Sequence, residues 1–153
     1  MGLTPTTSRT GGSSGGETLV SYTEFTSSVS VSAVAGNGDL VVAAPAFSAN
    51  GTSTYRVEFY AGNYQASPTA ARSITPNVTL DGAVLFSFGQ MVAQSVQVQN
   101  YAPLYLKRYV VFAAGSRTVE IRCLVSAGTG TIVAGTGTAA GNSPGWLRIT
   151  LLT

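Results

Sequence analysis

The sequence predicts an all-β domain: an antiparallel, jelly-roll-like β-sandwich of about eight strands behind an extended N-terminal arm. Three observations carry this expectation. Apolar residues recur with a period of two in many short runs, and no run has the 3.6-residue period of an amphipathic helix of useful length. Gly, Asn, Asp and Ser punctuate the runs at short intervals, as in sandwiches and barrels. Hydrophobic residues make up 44% of the 153 residues and charged residues only 9%, against ~25% charged in an average globular domain. A chain with that balance buries surface and folds. Tandem repeats are absent, which argues against a propeller or a solenoid.

Residues 1–16, MGLTPTTSRTGGSSGG, stand apart from the rest. They show no periodicity and end in a Gly/Ser tract of linker composition. They read either as a disordered tail or as a flexible arm that orders on a neighbouring subunit, with Leu3, Pro5 and Arg9 as its anchor. The folded domain is expected over residues 17–153.

Strand signals begin directly after the arm. Leu19 to Phe25 is followed by the alternating run Val29 to Ala33, then by a turn at Gly36-Asn37-Gly38-Asp39. Leu40 to Phe47 reads as a strand in which Pro45 marks an edge or a bend. Thr54 to Ala61 alternates clearly, with Tyr55, Val57 and Phe59 on one side and Arg56, Glu58 and Tyr60 on the other. Gly62 to Pro76 reads as a loop by composition. Val78 to Leu80, Asp81-Gly82, and Val84 to Phe88 form the strongest hairpin signal in the chain. Val92 to Val98 and Leu104 to Phe112 follow, and Gly115-Ser116 turns into the next strand. There Val119, Ile121, Cys123 and Val125 alternate with Glu120, Arg122 and Leu124. A long Gly/Thr/Ala stretch then reads as turn and loop, and Trp146 to Leu152 closes the chain as a strand. The count is roughly eight to ten strands.

Composition removes most chemistries. The chain has no histidine and one cysteine, so His-based triads, His metal sites and thiolate cages are excluded, and no intrachain disulfide can form. Cys123 is in phase with core positions and reads as a small buried residue. No cofactor and no metal site is expected. A net charge of +2 without a basic cluster lacks the footprint of nucleic-acid binding. No run approaches ~18 apolar residues and no signal peptide is visible, so neither membrane insertion nor secretion is expected, and synthesis is expected in the cytoplasm.

What remains is a carboxylate pair. Glu58 and Glu120 sit mid-strand and could face each other as in a glycosidase. However, Arg56 lies two residues from Glu58, and Arg122 two from Glu120, so ion pairs are the simpler expectation. Gly11-Gly12-Ser13-Ser14-Gly15 matches G-x-S-x-G only formally, with no strand before it and no helix after. The sequons at Asn50 and Asn77 read as turn and strand residues, and Asp39 and Asp81 as turn acids. Among the aromatics, Tyr22, Phe25, Phe47, Phe59, Phe86, Phe88 and Trp146 are expected in the core. Tyr60, Tyr64, Tyr101, Tyr105 and Tyr109 are expected near loops or opposite core positions, where tyrosine serves interfaces well.

Four segments in order carry a resemblance: SYTEFTSSVSVSA (Ser21 to Ala33), YRVEFYAG (Tyr55 to Gly62), AGSRTVEIR (Ala114 to Arg122) and PGWLRIT (Pro144 to Thr150). Together they resemble a jelly-roll-like domain of virion structural proteins of tailed, actinobacterial bacteriophages. That domain occurs as a minor capsid (decoration) protein or as the end domain of minor tail proteins. The resemblance implies a non-enzymatic, usually trimeric β-structure on the outside of the particle, with no catalytic residues to carry over. A short arm suits gripping a shell better than building a fibre shaft, so the expectation is a capsid decoration (cement) protein. Its partners would be a homotrimer and the major capsid protein. Leu3, Pro5 and Arg9 are expected to touch the shell, and Tyr105, Lys107 and Tyr109 to pack subunits together. The rival expectation is a minor tail or tail-tip protein, contacting other tail proteins and binding host-surface glycan through Tyr64 and Tyr101. A polysaccharide-active enzyme using two carboxylates is the third.

Overall fold

A computed structural model describes residues 16–66, 72–93, 103–134 and 144–153. Within them lie fourteen strands and no helix. They are β1 (Glu17–Phe25), β2 (Val29–Val31), β3 (Asp39–Ala43), β4 (Phe47–Ala49), β5 (Thr54–Ala61), β6 (Asn63–Ala66), β7 (Arg72–Leu80), β8 (Ala83–Ser87), β9 (Met91–Ala93), β10 (Leu104–Val111), β11 (Gly115–Arg117), β12 (Val119–Val125), β13 (Gly130–Val133) and β14 (Gly145–Leu152). One main sheet runs β1-β14-β5-β10; the other runs β3-β12-β7-β8, with β9 also on β7. Two small sheets, β2-β13-β6 and β11-β4, complete the sandwich. Every pairing is antiparallel. The chain passes repeatedly between the two main sheets, in keeping with the expected all-β, jelly-roll-like sandwich.

Period-two alternation fixes what each strand buries. Tyr55, Val57, Phe59 and Ala61 of β5 and Leu147 and Ile149 of β14 face inward, meeting Val119, Ile121, Cys123 and Val125 of β12 and Ile74 and Val78 of β7. Phe47, Tyr55 and Phe112 pack ring against ring at 5.2–5.7 Å between centroids, and Phe25 stacks with Phe59 at 6.1 Å. Burial of these side chains is the main stabilising term, worth about 1.5–3 kcal/mol for each large one.

Asp81 and Gly82 both take positive φ, 50° and 85°, the combination a two-residue type I′ hairpin turn requires. The Asp81-Gly82 hairpin is therefore present as expected. Pro45 ends the expected Leu40 to Phe47 strand, splitting it into β3 and β4. The expectation of a loop from Gly62 to Pro76 is overturned by β6 and by β7, which carries Pro76 inside a strand with neighbours on both sides. The register explains how proline is tolerated there. On one side β7 pairs with β9 through Arg72–Ile74 and with β8 through Asn77–Leu80. Pro76 falls at the changeover, and its carbonyl, accepting from the Phe88 N–H at 2.9 Å, points to that side. The missing N–H points the same way, so it interrupts no ladder bond.

The Gly/Thr/Ala stretch is likewise not all loop, because β13 runs through it. Gly130 is buried there, where a Cβ would come within 2.9 Å of Ile74 Cδ1 and 3.1 Å of Gln65 O. The glycine lets β13 approach β7 closely, which composition alone does not reveal. No helix long and apolar enough to cross a membrane occurs among the described residues.

Candidate functional site: the outer face of the β1-β14-β5-β10 sheet

The inward residues of this sheet make the core, so its other residues form one continuous outer face. The strand register orders that face into four rows. Glu24, Trp146, Tyr60 and Tyr105 form the first, and Tyr22, Arg148, Glu58 and Lys107 the second. Leu19, Thr150, Arg56 and Tyr109 form the third, and Glu17, Leu152, Thr54 and Val111 the fourth. A bulge in β1 between Leu19 and Ser21 sets the parity. It turns Ser21 inward, where its hydroxyl donates to the Pro45 carbonyl at 2.6 Å, and leaves Tyr22 and Glu24 outward.

Aromatic rings dominate the first row. Trp146 stacks on Tyr60 at 5.7 Å and has Tyr105 at 6.1 Å and Tyr22 at 6.5 Å. The Arg148 guanidinium lies 5.0 Å from the centre of the Trp146 ring, a cation–π distance. Tyr22 and Trp146 were expected in the core, and here the structure corrects the sequence. Trp146 shares parity with Arg148 and Thr150, while Leu147 and Ile149 take the inward positions. Tyr22 donates its hydroxyl to Glu24 Oε1 at 2.5 Å. Burial and that carboxylate push its phenol up to about 12.

Glu58 is the electrostatic centre. It lies on the outer face yet is only 2% exposed, covered by the long side chains around it. Its Oε2 accepts from Arg148 Nε at 2.8 Å and lies 2.9 Å from Arg56 Nε, there as an ion pair without hydrogen-bond alignment. Its Oε1 accepts from the Tyr105 hydroxyl. Arg56 reaches on to Glu17, with Nη2 2.7 Å from Oε2. Burial pushes the Glu58 carboxyl upward, but the hydrogen bonds from Arg148 and Tyr105 and the adjacent Arg56 guanidinium outweigh it and hold the group below its ordinary value. The same bond to Glu58 raises the Tyr105 phenol.

Above this fixed base the face is open. Leu19, Tyr22, Tyr105, Tyr109 and Val111 are 37–55% exposed. Lys107 makes no ion pair among the described residues, its ammonium lying 5.9 Å from the Tyr109 ring centre. Tyr105, Lys107 and Tyr109, singled out from sequence, thus stand side by side on β10 and point outward. Leu3, Pro5, Arg9 and Tyr101 lie outside the described residues. Tyr64 packs partly buried against the core. Sequence reasoning missed Tyr22 and Trp146 as members of this face. The available signal was the parity of Trp146 with Arg148 rather than with Leu147.

The two carboxylates weighed for hydrolysis do not meet. Glu58 lies on the outer face of one sheet and Glu120 on the outer face of the other, alternating with buried Val119 and Ile121. Packed sheets are ~10 Å apart before side chains pointing outward are counted, beyond the ~5–9.5 Å of a glycosidase pair. Glu120 is instead held by Arg122 Nε at 2.7 Å and the Thr79 hydroxyl at 3.1 Å.

The remaining polar candidates have local roles. Asp39 Oδ2 accepts from the Ser32 and Ala33 N–H groups at 2.6 and 2.8 Å. Asp81 accepts from the Thr118 N–H at 2.9 Å and Arg117 Nη1 at 2.8 Å. Asn77 is buried inside β7, which closes that sequon to glycosylation. No group of acidic, His or Cys residues that could hold a metal occurs among the described residues. Cys123 is buried and free, and burial, with Asp39 adding, pushes its thiol up to about 12. Native protein at pH 8 is therefore expected to resist a disulfide-exchange reagent such as DTNB, and to be labelled at the rate of unfolding. Labelling in seconds without denaturant would contradict a core cysteine.

No family model matches the chain, and no curated protein matches it. Among solved structures it is similar to the native structure of a family 35 carbohydrate binding module from Clostridium thermocellum. The match covers 88% of this chain and 97% of that one, at 12% identity and a TM-score of 0.35. A likeness of that degree bears on neither ligand nor activity.

Proposed function

We propose that the chain is a non-enzymatic structural protein of a bacteriophage virion, a capsid decoration protein that binds the outer shell as an oligomer and stabilises the particle. One observation supports this reading above the others. The most distinctive surface is an outer sheet face whose polar groups are tied into a fixed ion-pair base, with Tyr105, Lys107 and Tyr109 standing exposed above it. Aromatic and aliphatic side chains on a rigid base suit protein–protein contact, where Tyr is enriched and little conformational entropy is lost. The resemblance to virion jelly-roll domains supplies the setting, with a trimer as the family's usual state. The work of such a protein is mechanical: area buried only in the assembled particle shifts equilibrium toward the intact shell.

The test is location in purified particles by electron microscopy, together with binding of a chain lacking residues 1–16 to capsids. Copies over the whole shell, and a truncated chain that folds but no longer binds, are the expected results. Copies confined to the tail tip would replace decoration by the tail reading, and undiminished binding would remove the arm from the contact.

A further inference from the structure

The sheet face has a property that points to one occupant. It carries Glu17, Glu24 and Glu58 against Arg56, Lys107 and Arg148, so it is neutral although the chain is +2. The charges are also segregated across it. Glu17 and Glu24 lie on β1 at one edge, and Lys107, which has no ion pair among the described residues, lies on β10 at the other. Those edge strands are three spacings apart, about 14 Å, so Glu24 and Lys107 cannot pair within one copy. A nucleic acid or an anionic polymer would call for a face of net positive charge. A neutral face with opposite charges at opposite edges is complementary to itself.

We infer that this face packs against the same face of a second copy, about a two-fold axis running parallel to the strands. Rotation about such an axis keeps each row in place and exchanges the edges. β1 of one copy then lies over β10 of the other. Glu24 comes over Tyr105 and beside Lys107 of the second copy, and Leu19 comes over Tyr109 of the second copy. The alternative two-fold, perpendicular to the strands, lays β1 on β1 and β10 on β10. It opposes like charges at both edges, which costs stability. Size is adequate as well. Four strands by eight residues span roughly 19 Å by 25 Å in plan, and ring relief brings the accessible area toward the ~800 Å² per partner of a standard interface. An isologous contact of this kind is the commonest in homo-oligomers.

This inference names the partner of the face used in the proposed function and rests on that face being an interface. It is tested by sedimentation of the full chain and of Lys107→Glu, Glu24→Lys and the double variant, with circular dichroism to verify folding. Dimers are expected for the wild type, in place of the trimer that the resemblance implies, because a two-fold contact closes on two copies. Each single reversal should weaken self-association by about tenfold or more, and the double reversal should restore it. A monomeric wild type, a trimer indifferent to both reversals, or a double variant no better than the singles would overturn the two-fold contact. So would a monomer that binds oligosaccharides through Tyr109. Particle location is read independently. A charge-swap-rescued dimer absent from particles ends the virion reading alone, and a monomer found on shells ends the two-fold contact alone.

Discussion

Glu58→Gln is expected to lower the thermal midpoint by about 6–12 °C, corresponding to roughly 3 kcal/mol in a domain of this size. The reason is asymmetric. Glu58 is 2% exposed and receives Arg148, Arg56 and the Tyr105 hydroxyl. An amide keeps the shape but leaves two guanidinium groups around a neutral centre. Removing one partner of a buried ion network costs more than the network contributes in net terms, because the remaining charges stay desolvated. The acid dependence has a definite sign. The folded-state value of Glu58 lies below the ordinary 4.5, so its contribution is complete above that value and is lost as pH falls through the folded one. The gap between wild type and Glu58→Gln, followed by thermal melts, should be widest near pH 7 and narrow progressively as pH falls below 4.5. A variant melting within about 2 °C of wild type at pH 7 would show that the network is not a stabilising unit.

Gly38→Ala is expected to cost about 3 kcal/mol or more, whereas Gly36→Ala two residues earlier should cost only about 1 kcal/mol. Both glycines have positive φ, 91° and 74°, so both pay the strain of placing a side chain in the left-handed region. They differ in surroundings. A Cβ on Gly36 meets nothing within 4 Å, while a Cβ on Gly38 would lie 2.6 Å from the Cys123 carbonyl oxygen. That oxygen is backbone of the central strand β12 and cannot swing aside, so β3 must lift from β12. Arg122 Nη1 also donates to the Gly38 carbonyl at 3.1 Å, and Asp39 next in line holds the Ser32–Ala33 backbone. Urea unfolding of the two variants measures the contrast. Equal losses would mean that conformation alone, without the close approach, sets the requirement for glycine.

The architecture was legible where a strand has one buried face. β12 alternates strictly, β5 and β14 alternate except around the covered Glu58 and Thr150, and the Asp81-Gly82 turn names its own geometry. Legibility failed where tertiary contact overrides local preference. Pro76 looks like a strand breaker until β7 is seen to change partners at that residue. Gly130 looks like a loop residue until Ile74 and Gln65 are found against it. For the sheet face, the residues of β10 were identified because Tyr105, Lys107 and Tyr109 alternate with partly buried Leu106 and Val110. Tyr22 was not, because the bulge that turns it outward leaves no mark in the hydrophobic pattern of β1. Trp146 reads as core because it is an aromatic residue in a strand-like run, although its parity with Arg148 says otherwise. The neighbourhood of Glu58 was half legible. Arg56 is visible from spacing, whereas Arg148 and Tyr105 arrive from distant sequence only through register.

The pairing of β1 with β14 has a mechanical consequence. Glu17 stands opposite Leu152, and the Thr153 hydroxyl donates to the Gly16 carbonyl at 2.6 Å, so the first and last described residues leave the sandwich at one corner. Tension between them would peel the two strands apart one ladder bond at a time. Tension on Gly16 alone, with the sheet face held, would instead load the whole row of β1–β14 bonds together. A domain held by this face and pulled at Gly16 is therefore loaded in its strong direction.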